Sequence, residues 1–198
     1  FYRVLLESEE YQNYMSAEED NYAADKEVVI RFFKRHLINL ESFQSFFDEK
    51  SIFWSDDLDI VASMALKTFK SFEEDSDEFL PILTLWKDPE DEIEFAKTLF
   101  RKTLSQATEH NTLIKDHTEN WDIDRIAMMD MILMRMALSE ARECKQIPLK
   151  VTLNEYIEIS KYYSTPKSSN FINGVLDKLF TQLKEDGTIA KVGRGLIQ

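Results

Sequence analysis

The sequence predicts an all-α fold, a two-lobed helical bundle of about seven helices. Apolar side chains recur at intervals of three and four residues along most of the chain, which is the spacing of amphipathic helices. Only four Gly and four Pro occur among 198 residues, few for a turn-rich β-protein. The hydrophobic fraction of 43% is sufficient for a buried core, and the length fits one domain of two helical lobes.

The N-terminal lobe, taken as residues 1–120, is predicted to consist of helices that bury a Phe-rich face. Helical spacing covers residues 1–15, 23–38, 40–50 and 55–72. Ser55 is the expected N-cap of the last of these helices. Asp88 and Pro89 then provide a capping side chain and a first-turn proline for a helix that reaches about residue 107.

The C-terminal lobe, taken as residues 121–183, is predicted to contain three further helices. The first covers about 124–143 and is apolar nearly all round. Thr152 and Glu155 form a capping-box pattern that predicts a helix from there to about residue 163. The last helix is expected at 164–183, and residues 184–198, which hold three of the four glycines, are expected to form a flexible tail.

Charge is divided unequally along the chain. The formal net charge is −13, composed of −15 for residues 1–122 and +2 for residues 123–198. An anion-binding site is therefore expected in the C-terminal lobe, and the total excludes an RNA binder that relies on its own electrostatics alone. The single cysteine, Cys144, excludes an intrachain disulfide and favours a reducing, cytoplasmic location. No apolar run approaches the roughly 20 residues that span a bilayer, so no membrane association is expected.

No motif in the sequence indicates an enzyme. Phosphate-binding glycine loops, nucleophile motifs and zinc-binding patterns do not occur. His110 and His117 lie seven residues apart, without the further ligands of a metal site, and are interpreted as solvated polar residues. We therefore expect no catalytic residue, no metal and no cofactor.

The helix at 124–143 is unusual because methionines interrupt its polar side. Met128, Ile132 and Met136 fall in the same sector as Arg135. Methionine is common at adaptable binding surfaces, so either a partner protein or the core of this chain covers the stripe. Asp130 lies on the opposite, apolar side, where it either satisfies backbone N–H groups near the helix start or pairs with a cation.

The start of the last helix combines residue types that suit RNA. Free backbone N–H groups at a helix N-terminus favour a phosphate, and Lys167 adds a positive charge. Ser168, Ser169 and Asn170 add hydrogen-bonding groups, and Phe171 offers a face for stacking on an unpaired base. The alternative is ordinary capping, with Phe171 in the core.

Three blocks of residues in the C-terminal lobe resemble the NusB family. They are Asp130-Met-Ile-Leu-Met-Arg-Met-Ala-Leu-Ser-Glu140, Ile147-Pro-Leu-Lys-Val-Thr-Leu-Asn-Glu155 and Phe171-Ile-Asn-Gly-Val-Leu-Asp-Lys178. Their order and spacing are similar to those of that family over about residues 121–183. The resemblance implies a NusB-type fold of two helical bundles and a transcription antitermination factor that supports ribosomal RNA synthesis.

The resemblance also implies partners and sites. Proteins of this type pair with NusE, a small-subunit ribosomal protein, and the pair binds single-stranded boxA RNA within the transcription elongation machinery. By the family pattern, Lys150 and the turn from Lys167 to Phe171 face RNA. Asp130 and its helix, with Met128, Ile132, Arg135 and Met136, face NusE. Gly174, Asn154 and Asn173 are expected where helices approach or bridge one another.

Two departures from the family pattern bear on RNA affinity, and two other interpretations of the chain stay open. The arginine-rich N-terminal segment of the family does not occur, so the chain is expected to be a fragment that lacks it, and the position of Lys167 is often acidic in the family. The first alternative is a NusB-like accessory domain of an RNA methyltransferase. The second is a helical domain that self-associates through its Met-rich stripe.

Overall fold

The computed structural model describes residues 1–18, 20–84, 86–118 and 126–196, with the backbone alone at Ser55 and Arg194. These residues form helices and loops without any strand, which confirms the all-α prediction. They divide into two compact units, Phe1–Lys87 and Asp88–Gln198. The N-cap predicted at Ser55 is wrong, because the helix begins one residue earlier, at Trp54, and its N-cap is Phe53. The helix start predicted at residue 124 lies outside the described part.

The described residues of the first unit form five α-helices. They are α1 (Tyr2–Glu7), α2 (Glu9–Ser16), α3 (Tyr22–Phe32), α4 (Glu41–Lys50) and α5 (Trp54–Ser71). The single helix expected at 1–15 is two helices, because Ser8 is extended and its hydroxyl accepts a hydrogen bond from Tyr11 N, which caps α2. One π-helical turn, Phe33–Leu37, continues α3.

Aromatic rings and one buried carboxylate organise this unit. Phe47 lies at the centre of the aromatic contacts, with its ring centroid 4.8 Å from that of Phe43 and 4.6 Å from that of Trp54. The π-helical turn presents His36 and Arg35 to Glu10, whose carboxylate lies 2.8 Å and 2.6 Å from them. Hydrogen bonds, first from His36 and also from the backbone and Arg35, lower the pKa of Glu10 to about 2.

The second unit contains the other five α-helices among the described residues. They are α6 (Pro89–Ser105), α7 (Ala107–Asp116), α8 (Met128–Glu143), α9 (Leu149–Tyr163) and α10 (Ser168–Glu185). The predicted start of α6 is confirmed, since the Asp88 side chain accepts from Asp91 N. Helix α7 was not predicted. Together with the division of residues 1–15, it raises the eight helical segments predicted one by one to ten α-helices among the described residues, against the total of about seven expected.

Helix α9 begins before the predicted capping box. Its N-cap is Pro148, and Thr152 lies inside the helix, fully buried. The hydroxyl of Thr152 donates to Glu140 Oε1 at 2.7 Å instead of capping a helix. The capping-box prediction is therefore wrong, because the Thr152 hydroxyl bonds a side chain of another helix, whereas the local pattern predicted a bond to the backbone at the start of its own helix.

Helix α8 is the central element of the second unit. It packs against α6, α7, α9 and α10. Its buried residues Leu133, Met134, Ala137 and Leu138 join apolar residues of α10 in one core. The apolar circumference predicted for this helix is thus explained by neighbours on several sides.

The segment after α10 contacts the rest of this unit. Ile189 is buried, its N–H donates to Leu183 O, and Val192 N donates to Lys145 O. A short 3-10 turn, Gly193–Leu196, follows. The flexibility expected for 184–198 and the domain boundaries expected at 120/121 and 183/184 remain predictions.

Candidate nucleic-acid interface

Asp130 is buried and holds the turn between α9 and α10. It is the third residue of α8, with 5% of its surface exposed. Its Oδ1 accepts a hydrogen bond from Ser164 Oγ at 2.5 Å, and its Oδ2 accepts one from Ser168 Oγ at 2.9 Å. The carboxylate therefore ties the end of α9 and the start of α10 to the N-terminus of α8. Neither backbone capping nor a cation, the two roles considered from the sequence, accounts for it.

Ser168 completes this buried network. Its side chain is 1% exposed, and its Oγ accepts from Thr165 N at 3.1 Å. The hydroxyls of Ser168 and Thr165 also share a hydrogen bond of 2.8 Å. Ser168 therefore fixes the shape of the turn and, in this conformation, offers no surface to an RNA.

The residues around Ser168 form the exposed part of the turn. Lys167, at the N-cap position of α10, and Asn170 are exposed, and Ser169 is half-buried. Phe171 is half-buried and packs against the core. Among the residues proposed for RNA contact, the turn thus presents one cation and two short polar side chains, with part of one aromatic ring beside them.

Lys150 lies at the other end of α9. It is the second residue of that helix and is exposed. Since α9 has 15 residues, its ends are about 22 Å apart. The structure therefore does not bring Lys150 together with Lys167. The sequence could not show this, because the family pattern gives order along the chain and not position in space.

The side of α8 proposed for a partner protein is mostly covered within the second unit. Met128, the first residue of α8, is 77% exposed. Ile132, Arg135 and Met136 are half-buried, and Met136 packs against the core. Arg135 Nε donates to Asn111 Oδ1 at 2.7 Å, which ties α8 to α7. Within the proposed set, Met128 alone is largely exposed, and it lies on the same helical turn as Asp130.

Glu140, at the other end of α8, has a structural role that the sequence did not reveal. It is 7% exposed and accepts hydrogen bonds from the buried Thr152 Oγ1 at 2.7 Å and Tyr156 Oη at 3.1 Å. Burial, together with the Glu140 charge, raises the pKa of Tyr156. The spacing of Thr152 and Tyr156, four residues apart on one helical face, was the signal available in the sequence.

The outer face of α10 carries polar residues of the third motif block. Asn173 and Gly174 are exposed in mid-helix, as are Asp177 and Lys178. A Cβ at Gly174 would meet nothing within 4 Å among the described residues. The expectation that Gly174 and Asn173 lie where another helix approaches is therefore wrong for this structure, and Asn154 on α9 is exposed as well.

The two histidines considered for a metal site have different surroundings. His117 bonds Leu113 O through Nδ1 and Gln182 Oε1 through Nε2. His110 is fully buried, so its interpretation as a solvated residue is wrong. Burial, with the nearby Arg142, lowers the pKa of His110 to about 4. Within the described ranges, no group of three or more His, Cys, Asp or Glu side chains could hold a metal ion.

The second unit is therefore a helical bundle in which α8, α9 and α10 carry the three motif blocks, and one buried carboxylate joins the start of α8 to the turn between α9 and α10. The NusB family model matches residues 58–181, more than half of the chain. The chain belongs to the NusB family.

Proteins named transcription antitermination protein NusB are similar to this chain. The protein of Salinibacter ruber (strain DSM 13855 / M31) is 46% identical over 104 residues, which are 52% of this chain and 65% of that protein. The protein of Chloroherpeton thalassium (strain ATCC 35110 / GB-78) is 39% identical over 104 residues, or 49% of its length. The chain thus spans about half to two thirds of these curated relatives.

A solved structure of T. maritima NusB is 25% identical to this chain, with a TM-score of 0.44. The match covers 79% of this chain and 88% of the T. maritima chain. Within the residues described here, no helix has the length and apolar character needed to cross a membrane.

Proposed function

We propose that this chain is a NusB-type transcription antitermination factor. In this role it binds boxA-type single-stranded RNA together with a NusE-type small-subunit ribosomal protein, within the transcription elongation machinery that makes ribosomal RNA. Family membership and the names of the relatives support this role, and they favour a binding function over catalysis.

The observation that carries the proposal is the exposed turn at the start of α10. Lys167 and Asn170 are exposed there, while Asp130 and Ser168 beneath them hold the backbone in place. A turn that is already fixed loses little conformational entropy of its own when it binds a single strand. We therefore assign Lys167, Ser169, Asn170 and the outer part of Phe171 to RNA contact, with Asp130 and Ser168 as the residues that position them.

The partner protein is assigned to the adjacent end of α8 and the outer face of α10. Met128 offers a large apolar side chain at 77% exposure. Gly174 costs roughly 1 kcal/mol relative to Ala in a helix, and no neighbour among the described residues requires it. An exposed glycine of this kind suits the close approach of another backbone. In this proposal three half-buried residues of α8 mainly hold the surface in place and make few direct contacts with the partner. They are Ile132, Arg135 and Met136.

RNA binding can be tested by fluorescence anisotropy with a labelled boxA-type RNA, with and without NusE, at two salt concentrations. We expect tight binding only when NusE is present, since the chain carries a net charge of −13. Lys167→Glu should weaken binding and reduce the magnitude of the salt slope by about 0.7, the value for one phosphate contact on a single strand. Lys115→Glu, an equal charge change on the exposed side of α7, is the matched control.

Partner binding can be tested by calorimetry with NusE. Met128→Lys should weaken the complex at least roughly tenfold, because it places a charge in an apolar contact. Met15→Lys, at a methionine of 63% exposure in the first unit, is the control. Equal affinities of the two variants for NusE, or RNA binding that is unchanged by Lys167→Glu, would contradict the proposal.

Self-association is the second candidate, and the exposed Met128 is the observation that favours it. In that case sedimentation velocity of the chain alone would give a dimer, and Met128→Lys would convert it to a monomer. A monomer at all concentrations would leave the NusE-type partner as the occupant of this surface.

A further inference from the structure

A cavity of about 410 Å³ lies between α9, α10 and the segment that follows α10. Its volume is within the range of small-molecule sites, roughly 300 to 1,000 Å³. Apolar side chains from all three elements line it: Leu149, Leu153, Phe180, Ile189 and Leu196. An apolar lining of this kind favours the hydrocarbon part of a ligand over a fully hydrated ion.

Three lysines also line this cavity. Lys150, Lys184 and Lys191 contribute three positive charges, and Asp177 contributes one negative charge. Lys191 Nζ donates to Cys144 O at 3.0 Å, and burial lowers the pKa of Lys191. An ammonium group has three donors, so a lysine fixed in this way can also bind an anion.

The chain segment after α10 forms a defined wall of the cavity. Ile189 N donates to Leu183 O in α10, and Val192 N donates to Lys145 O in the loop between α8 and α9, at 3.0 Å each. Gly195 is buried against Lys145, and a Cβ at that position would collide with the Lys145 carbonyl oxygen. The wall therefore depends on a glycine that allows two backbones to approach closely.

We propose that this cavity binds a small amphipathic anion, with an aliphatic body against the apolar lining and a carboxylate or phosphate head at the lysines. The combination selects for both parts, since a neutral hydrocarbon leaves the ammonium groups without an anion and a simple ion leaves the apolar lining hydrated. This site goes beyond the RNA and partner surfaces and requires neither. Two lining residues have another expected role, since the family resemblance places Lys150 toward RNA and Asp177 lies on the outer face of α10, so the test relies on other residues.

Isothermal titration calorimetry of the whole chain with octanoate, octyl phosphate and octanol tests the proposal. We expect one saturable site for at least one of the two anions, and roughly tenfold weaker binding of octanol, since a hydrogen bond to a charged group is lost. Saturable binding of either anion supports the site, and their relative affinity identifies the head group. No saturable binding of either, or octanol binding as tightly as both, would overturn it.

Three variants locate the site. Lys184→Glu reverses one charge at the cavity and should weaken anion binding about fivefold or more. Thr181→Trp, at an exposed position that lines the cavity, should abolish binding by filling it. Lys178→Glu makes the same charge change on the same helix outside the cavity and should leave the affinity unchanged. Equal binding by all three variants and the unaltered chain would show that the anions associate elsewhere, and would refute the proposal.

Discussion

Replacement of Asp130 tests whether a buried carboxylate holds the turn proposed for RNA. Asp130→Ala removes the acceptor of two hydrogen bonds and leaves the hydroxyls of Ser164 and Ser168 without it. Hydrogen bonds to a charged group each contribute about 1.5 to 3 kcal/mol, and relief of the buried charge offsets part of that. We therefore expect the free energy of opening of the second unit to fall by about 2 to 4 kcal/mol.

Asp130→Asn should cost less, about 1 to 2 kcal/mol, because the amide keeps one acceptor oxygen and its NH₂ group can donate to a reoriented serine hydroxyl. Native-state hydrogen exchange is the suitable assay, since the buried α10 residues Leu176 and Leu179 report opening of this unit separately from the first. Ser168→Ala completes a double-mutant cycle with Asp130→Ala.

A coupling of about 1 to 2 kcal/mol between Asp130 and Ser168 is expected in that cycle, because the two side chains are in direct contact. RNA binding in the presence of NusE should weaken in the same variants, although neither residue reaches the solvent. A loss below about 0.5 kcal/mol for Asp130→Ala, or additive effects of the two substitutions, would refute the reasoning.

Three further predictions concern other buried or exposed positions. Thr152→Val should lower the stability of the second unit by about 1 to 2 kcal/mol in hydrogen exchange, because Glu140 loses a donor in a buried site, and Thr152→Ser should restore most of it. His110 has its pKa lowered from 6.5 to about 4, so the unfolded chain binds a proton first as the pH falls. The melting temperature should therefore decrease as the pH is lowered from 6.5 to 4, and His110→Leu should make that decrease smaller. The same pH dependence in His110→Leu and the unaltered chain would contradict the lowered pKa of His110. Gly174→Ala should raise stability by about 0.5 to 1 kcal/mol and weaken the complex with RNA and NusE, so a gain in stability with unchanged binding would remove Gly174 from the interface.

Local patterns in the sequence predicted a helix start correctly where all the interactions that determine it lie within that helix. Asp88 caps α6 as expected, because an N-cap, a proline and first-turn carboxylates all act within four residues. The same kind of pattern failed at Thr152, whose hydroxyl bonds Glu140 on another helix. Helix α7 was missed since its fully buried residues, His110 and Ile114, lie among polar ones and form a weak apolar stripe.

The candidate site was predicted by motif and not by geometry. The sequence placed Asp130 with the partner surface and Ser168 with the RNA surface, yet the two side chains share a hydrogen bond across 38 positions of the chain. Neither periodicity nor composition carries information about such a contact, which depends on how α8 packs against the α9–α10 turn. Lys150 and Lys167 show the reverse: the family pattern placed both on the RNA surface, whereas the length of α9 keeps them far apart.

The buried link between Asp130 and Ser168 changes how variants of this family motif are interpreted. A substitution at Asp130 that weakens NusE binding would suggest a lost contact, although the side chain is only 5% exposed. Because the same carboxylate shapes the Lys167–Asn170 turn, such a variant is expected to weaken RNA binding too. Met128→Lys and Lys167→Glu change exposed side chains on either side of this link and should separate the two activities. If Asp130→Asn impairs both activities while each exposed variant impairs one, the carboxylate acts by positioning the surfaces.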